Sequence, residues 1–168
     1  TCALPILAAK ETLENLLGSF TIFLDKPFAV GDHVKLGSID GHVESIGLRS
    51  TRIRTLEKCM VSVPNKKMVD VELENISERN YWRIKFVIGV LYSTKTESLH
   101  KIVEQIKSLL DHHPMVEEGP LVRFKHFGSS SLEIGISYLV KTNDHDLMIS
   151  VREEVNFEIM RIVRENGT

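Results

Sequence analysis

A chain of 168 residues, 42% hydrophobic and 26% charged, holds one ordinary domain or two small ones with real cores and has no low-complexity tract. Its net charge of −2 lacks the basic excess that phosphate neutralisation asks of most nucleic-acid binders. The two cysteines, Cys2 and Cys59, have no CxxC spacing, which suits a reducing compartment and argues against a disulfide scaffold or a thiolate zinc site.

At the start, Ala3-Leu4-Pro5-Ile6 resembles what a common sequencing-adapter end encodes. Thr1 to Ile6 is then either a read-through scar, with the gene beginning near Leu7, or the opening of a helix kinked by Pro5. The longest uncharged apolar stretch nearby, Asn15 to Leu24, is short of the roughly 20 residues that cross a bilayer, and no signal peptide is evident. Taken alone, the chain reads as soluble.

From Ala8 to about Leu24 the spacing predicts a helix, with Leu13, Leu16, Leu17, Phe20 and Leu24 on one stripe. Ala8, Thr12, Asn15 and Ser19 form a second stripe of small residues, which lets helix backbones approach closely in packed bundles. An amphipathic helix lying on a soluble core would show the same pattern. Asp25-Lys26-Pro27 ends it, because proline disfavours the helical conformation in the residue before it.

From Phe28 to about Ile76, short strands alternate with turns. His33 to Leu36 is closed by a turn at Gly37-Ser38-Ile39-Asp40-Gly41, and His42 to Ile46 is followed by Gly47 and then Leu48 to Arg54. The opposite parity of Leu48 and Ile53 predicts a bulge there or an interface on each face. Cys59 to Val63, with Cys59 as a small core residue, ends at Pro64-Asn65. Val69, Val71 and Leu73 alternate with Asp70, Glu72 and Glu74, which predicts a fifth strand carrying three carboxylates on one wet face. Five short strands in so few residues suggest a small, highly curved barrel.

Beyond about Tyr81 the pattern becomes mixed. Ile84 to Tyr92 reads as a strand, and Thr94 and Glu97 have capping-box spacing for a helix with Leu99, Ile102, Val103, Ile106, Leu109 and Leu110 on its apolar face. Leu121 to Phe127 and Leu132 to Val140 form a hairpin. Asn143-Asp144 starts a last helix with Met148, Val151, Val155, Ile159 and Ile162 on one side, stopped by Gly167. The order β-α-β-β-α is a ferredoxin-like split βαβ without its closing strand. The fold class is α+β: a terminal helix over 1–27, a small five-stranded β domain over 28–78, and an α/β domain over 79–168.

No catalytic constellation emerges, since GxSxG, HExxH and P-loop patterns do not occur. Asp32-His33 and Asp40-Gly41-His42 offer two carboxylates and two imidazoles if their strands are neighbours, as zinc sites use. Asp and Gly are equally what tight turns demand, so neither a metal nor a cofactor is expected. Arg49, Arg52, Arg54, Lys58, Lys66 and Lys67 on a small barrel would suit an Sm-like RNA binder or an oligomeric scaffold. Between Phe28 and Tyr81, however, no aromatic is available to stack on bases, so no nucleic-acid partner is expected.

Several segments follow one another at the spacing of the middle domain of the MscS family of mechanosensitive channels. They are Pro27-Phe28-Ala29-Val30-Gly31-Asp32, Gly41-His42-Val43-Glu44, Ile46-Gly47-Leu48-Arg49-Ser50-Thr51-Arg52-Ile53-Arg54-Thr55 and Val63-Pro64-Asn65. Asn15-Leu16 resembles that family's last pore helix, and Gly128-Ser129-Ser130-Ser131-Leu132 resembles a hairpin of its C-terminal domain.

The resemblance implies a homo-heptamer of the inner membrane, with an Sm-like β domain and a ferredoxin-like domain forming a cytoplasmic vestibule. Tension opens the pore to ions and small osmolytes. Its partners would be copies of itself, lipids met through upstream helices that this chain does not contain, and permeating ions. Ala8, Thr12, Asn15 and Ser19 would pack the pore helices. Pro27, Phe28, Gly31, Asp32, Gly41, Gly47, Arg49, Ser50, Thr51, Arg54, Pro64 and Asn65 would shape the β domain. The period-two spacing of Asp70, Glu72 and Glu74 is either a solvated strand face or, repeated around such a ring, a negative belt of the vestibule that concentrates cations. One departure is Glu11, which stands where many relatives carry a glycine at the helix kink.

Overall fold

The computed structural model describes residues 3–168, with side chains described from Lys10 onward. Cys2 and the side chain of Ala8 therefore lie outside the described residues. The chain divides into two compact units, Thr1–Glu78 and Arg79–Thr168.

In the first unit, helix α1 (Ala3–Asp25) stops where Pro27 removes the helical conformation from its predecessor, and Lys26 turns out of the helix at φ 45°. Four strands follow: β1 (His33–Leu36), β2 (Ile39–Ile46), β3 (Ser50–Thr55) and β4 (Met60–Pro64). A short helix α2 (Asn65–Asp70) then leads to β5 (Glu74–Asn75). The strands pair in the order β4-β3-β2-β1-β5, all antiparallel. Val34, Leu36, Val43, Ile53 and Val63 point to one side and meet Phe28, Met68 and Ile22 of α1 in a single apolar cluster. Burial on alternate residues is what a strand with one wet face requires. Among the described residues no helix is long and apolar enough to cross a membrane.

Several expectations change here. The hairpin turn is two residues, Gly37 and Ser38, so Ile39, Asp40 and Gly41 belong to β2. A Cβ on Gly41 would sit 2.2 Å from the Arg54 carbonyl oxygen, so this glycine serves close strand approach. Leu48 lies in the turn before β3, which dissolves its parity conflict with Ile53. The irregularity falls on the partner strand, between Val43 and Ser45. Cys59 is exposed in the turn preceding β4, where Lys58 adopts φ 67°.

The largest change concerns the fifth strand. Residues 65–70 are helical because Asn65 and Met68, three apart, are the buried pair, while Val69 and Val71 are exposed. Asp70 therefore ends a helix, and Asp70, Glu72 and Glu74 do not share one strand face. β5 contains only Glu74 and Asn75, and no β4–β5 pairing closes the sheet into a barrel.

The second unit runs β6 (Trp82–Val90), α3 (Thr96–Asp111), β7 (Leu121–Phe127), β8 (Leu132–Val140) and α4 (His145–Glu165). The sheet order is β6-β8-β7, antiparallel throughout. β8 is central: Leu132, Ile134, Ile136, Tyr138 and Val140 are buried on one face. Ile102, Ile106 and Leu110 of α3 and Met148, Val151, Val155, Ile159 and Ile162 of α4 pack into the same cluster. α4 starts as its sequence predicts, with the Asp144 carboxylate accepting the N–H groups of Asp146 and Leu147. α3 does not: its N-cap is Lys95, and the Thr94 hydroxyl donates to the Thr168 hydroxyl at 2.6 Å instead.

Candidate functional site: the seat of helix α1

Helix α1 presents two unlike faces. Asn15, Gly18 and Ile22, at i, i+3 and i+7, are buried. The stripe that the sequence marks as apolar, Leu13, Leu16, Leu17, Phe20 and Leu24, is exposed, as is Phe23 at 71%. The helix therefore seats on its own unit through the narrow face of Asn15, Gly18 and Ile22. An apolar face lying on a soluble core, one of the two readings the sequence left open, is not what forms.

The seat is built from α2. Asn15, 2% exposed, donates through Nδ2 to the Glu11 carbonyl at 3.0 Å, and its Oδ1 accepts the backbone N–H of Lys66 at 3.1 Å. The first N–H groups of a helix have no partner within it, and the N-cap of α2, Pro64, supplies no side-chain bond. Asn15 fills that role from another helix. Gly18 makes the approach feasible, since a Cβ there would lie 2.8 Å from the Asn65 carbonyl carbon. Beside it, Lys66 Nζ donates to Glu14 Oε2 at 2.7 Å. That hydrogen bond holds the Glu14 carboxyl below its usual range and raises the Lys66 ammonium above its own.

α2 is anchored in turn to the sheet. Asn65 and Thr51 are both 0% exposed, and the Thr51 hydroxyl donates to Asn65 Oδ1 at 2.9 Å. Asn65 Nδ2 donates to the Gly47 carbonyl at 2.8 Å, and its backbone N–H donates to the Arg49 carbonyl at 2.9 Å. Every polar group of the Asn65 amide is thus engaged at one end or the other, as burial demands. The result is a continuous polar strut from α1 through α2 to β3 and the β2–β3 turn.

Of the residues singled out in sequence, Asn15, Gly47, Arg49, Thr51, Pro64 and Asn65 come together in this strut. Pro27, Phe28, Gly31 and Asp32 form the joint between α1 and β1: Phe28 is buried, Gly31 has φ 100°, and Asp32 Oδ2 accepts from Ala29 N–H and Asn75 Nδ2, both at 2.9 Å. Ser50 opens β3 opposite Pro64. Arg54 pairs with Glu44 at 2.8 Å on the outer face. Ser19 donates to the Leu16 carbonyl, and Thr12 lies on the exposed side of α1. Sequence reasoning misses Glu14 and Gly18 as site residues and names Lys66 only among the basic residues of the RNA-binding alternative. The signal for Gly18 was its place three residues after Asn15 and four before Ile22. Among the described residues no three His, Cys, Asp or Glu side chains converge as a metal set.

Two family models match. The β domain of mechanosensitive ion channels covers residues 11–78, and the C-terminal domain of MscS mechanosensitive ion channels covers residues 84–168. An uncharacterized MscS family protein of Aquifex aeolicus is 47% identical over 96% of this chain and 45% of its own length. The large-conductance mechanosensitive channel MscMJLR of Methanocaldococcus jannaschii is 39% identical over 91% of this chain and 44% of its own. The chain thus spans about half the length of these relatives. A variant of Arabidopsis thaliana MSL1 solved by cryo-EM superposes with a TM-score of 0.91 at 26% identity, over 98% of this chain and 62% of that one. The chain belongs to the MscS family of mechanosensitive ion channels.

Proposed function

We propose that the chain is the pore-exit helix and cytoplasmic vestibule portion of a mechanosensitive channel subunit that releases ions and small osmolytes when membrane tension rises. It works as a ring of identical subunits, seven by the family's pattern, at the inner membrane with this portion on the cytoplasmic side. The upstream helices of the whole protein meet the lipid. In this reading the open five-stranded sheet is an Sm-like β domain over 28–78. The order β6-β8-β7 is a ferredoxin-like sheet whose closing strand would pair with the free edge of β6.

The observation that carries the proposal is the two-faced α1. A row of six large apolar side chains, Leu13 to Leu24, is exposed on a helix whose other face is tied to the β unit. Contiguous apolar surface of this kind calls for a partner, and neighbouring helices of a ring supply one. Tension on the helix then reaches the vestibule through Asn15, Lys66, Asn65 and Thr51. The basic residues offer less to RNA: Arg54 is paired with Glu44 and Lys66 with Glu14.

Expression of the full-length gene in a bacterium stripped of its own mechanosensitive channels tests the reading. Survival of an abrupt osmotic downshift should be restored. A protein that reaches the membrane yet gives no protection would refute it.

A further inference from the structure

The second unit exposes two apolar surfaces that its own core does not cover. On α4, Ile149, Glu153, Phe157 and Met160, at i, i+4, i+8 and i+11, form a stripe turned away from the buried face of Val151, Val155 and Ile159. Phe157 is 59% exposed, and Ile149 and Met160 are each 42% exposed. Arg152 and Asn156, at the margin of the stripe, share a cleft with Arg83 and Lys85 of β6, so the stripe lies on the β6 flank of the unit.

The other surface is a groove between α3 and the outer edge of β7. Leu99 and Val103 wall it on the helix side, and Val122, Phe124 and Phe127 on the strand side. Phe124 and Phe127 meet edge to face with ring centroids 5.1 Å apart, and Phe127 is 71% exposed. β7 is the sheet edge remote from β6, because β8 runs between them. The two surfaces thus occupy opposite flanks, and one copy cannot cover its own stripe with its own groove.

We propose that the α4 stripe of one copy docks into the α3–β7 groove of the next, with Phe157 seated against Phe124 and Phe127. Exposed apolar surfaces of this kind mark contact sites, and a seated phenyl ring buries roughly 150–250 Å2. The charges match as well. Glu153 in the stripe and Arg123 on the groove rim have no ion-pair partner among the described residues, while Arg152 turns to the β6 cleft. A two-fold pairing would instead lay stripe on stripe and bring two Glu153 carboxylates together. Unlike surfaces make a head-to-tail contact, which closes into a ring or runs on as a filament. The inference rests on the ring of subunits proposed above and names one of its contacts.

The test is oxidative crosslinking of the full-length protein in membranes, in a background whose native cysteines, Cys59 among them, are replaced by serine. Phe127→Cys and Phe157→Cys in one chain should give a ladder of covalent multimers beyond the dimer, while either substitution alone gives none. In that double-cysteine chain Arg123→Glu should cut the ladder, and adding Glu153→Arg should restore it. Sedimentation of the extracted protein separates the docking from the ring. Rings that form without a ladder, or a covalent dimer from one cysteine alone, overturn the docking and leave the ring standing. A full-length protein that sediments as a monomer defeats both.

Discussion

The side-chain oxygen of Asn15 accepts the backbone N–H of Lys66 at 3.1 Å across 51 residues of sequence, so one helix caps another that has no side-chain cap of its own. Removing a capping side chain costs about 0.5–2 kcal/mol. Asn15→Ala should therefore lower the denaturant midpoint by a stability loss in that range. Amide exchange of Lys66 should accelerate selectively. Unchanged protection at Lys66 would mean that the cap contributes nothing.

Asn65 and Thr51 share a fully buried hydrogen bond, and each deletion strands its partner. Asn65→Ala leaves the Thr51 hydroxyl and the Gly47 carbonyl buried without it, at about 1–3 kcal/mol for such groups. Thr51→Val removes one donor and keeps the shape. In a double-mutant cycle the two losses should be strongly non-additive, because the groups belong to one network. Additive losses measured by chemical denaturation would dissolve the strut into separate contacts.

Gly18 admits α2 to within contact of α1. A methyl group there meets the Asn65 and Lys66 backbone at 2.8 and 2.9 Å, and backbone cannot swing aside as a flexible side chain does. Gly18→Ala should destabilise the chain by about 1–3 kcal/mol, the usual cost of overpacking, despite alanine's higher helix propensity. A stabilised variant would contradict the close seating of α1 on α2.

Tyr138 is 2% exposed and its hydroxyl has no protein partner among the described residues. Burial raises its pKa to about 12, from a usual value of about 10. The neutral phenol is the form the fold accepts. The stability tied to it is thus fully present below the unfolded pKa and drains as pH climbs through the folded one. Stability should fall more steeply between about pH 10 and 12 in the native chain than in Tyr138→Phe. At neutral pH the Phe variant should be nearly as stable or more so. Parallel pH profiles for the two proteins would assign the alkaline loss elsewhere.

Elements whose burial follows a local period were legible in sequence: β8 with its strict alternation, α4 with its Asp144 cap, and α1 up to Pro27. What escaped was set by contacts distant in the chain. Residues 69–74 alternate well enough to pass for a strand, but Asn15 and Thr51 fix Lys66 and Asn65 in a helical turn that runs to Asp70 and is too short to hold alone. The same contacts decide which face of α1 is buried. A hydrophobic stripe predicts a buried face only when the partner lies in the same chain. Here that stripe stays exposed, and Asn15, Gly18 and Ile22 beside it do the packing.

Single-channel recording of the full-length protein under graded suction tests the central claim most directly, with the native chain compared against Gly18→Ala. Suction should open discrete conductance steps in native patches, and the variant should need a different tension because its helix is displaced from its seat. Patches that contain the native protein but show no suction-dependent steps would contradict the account.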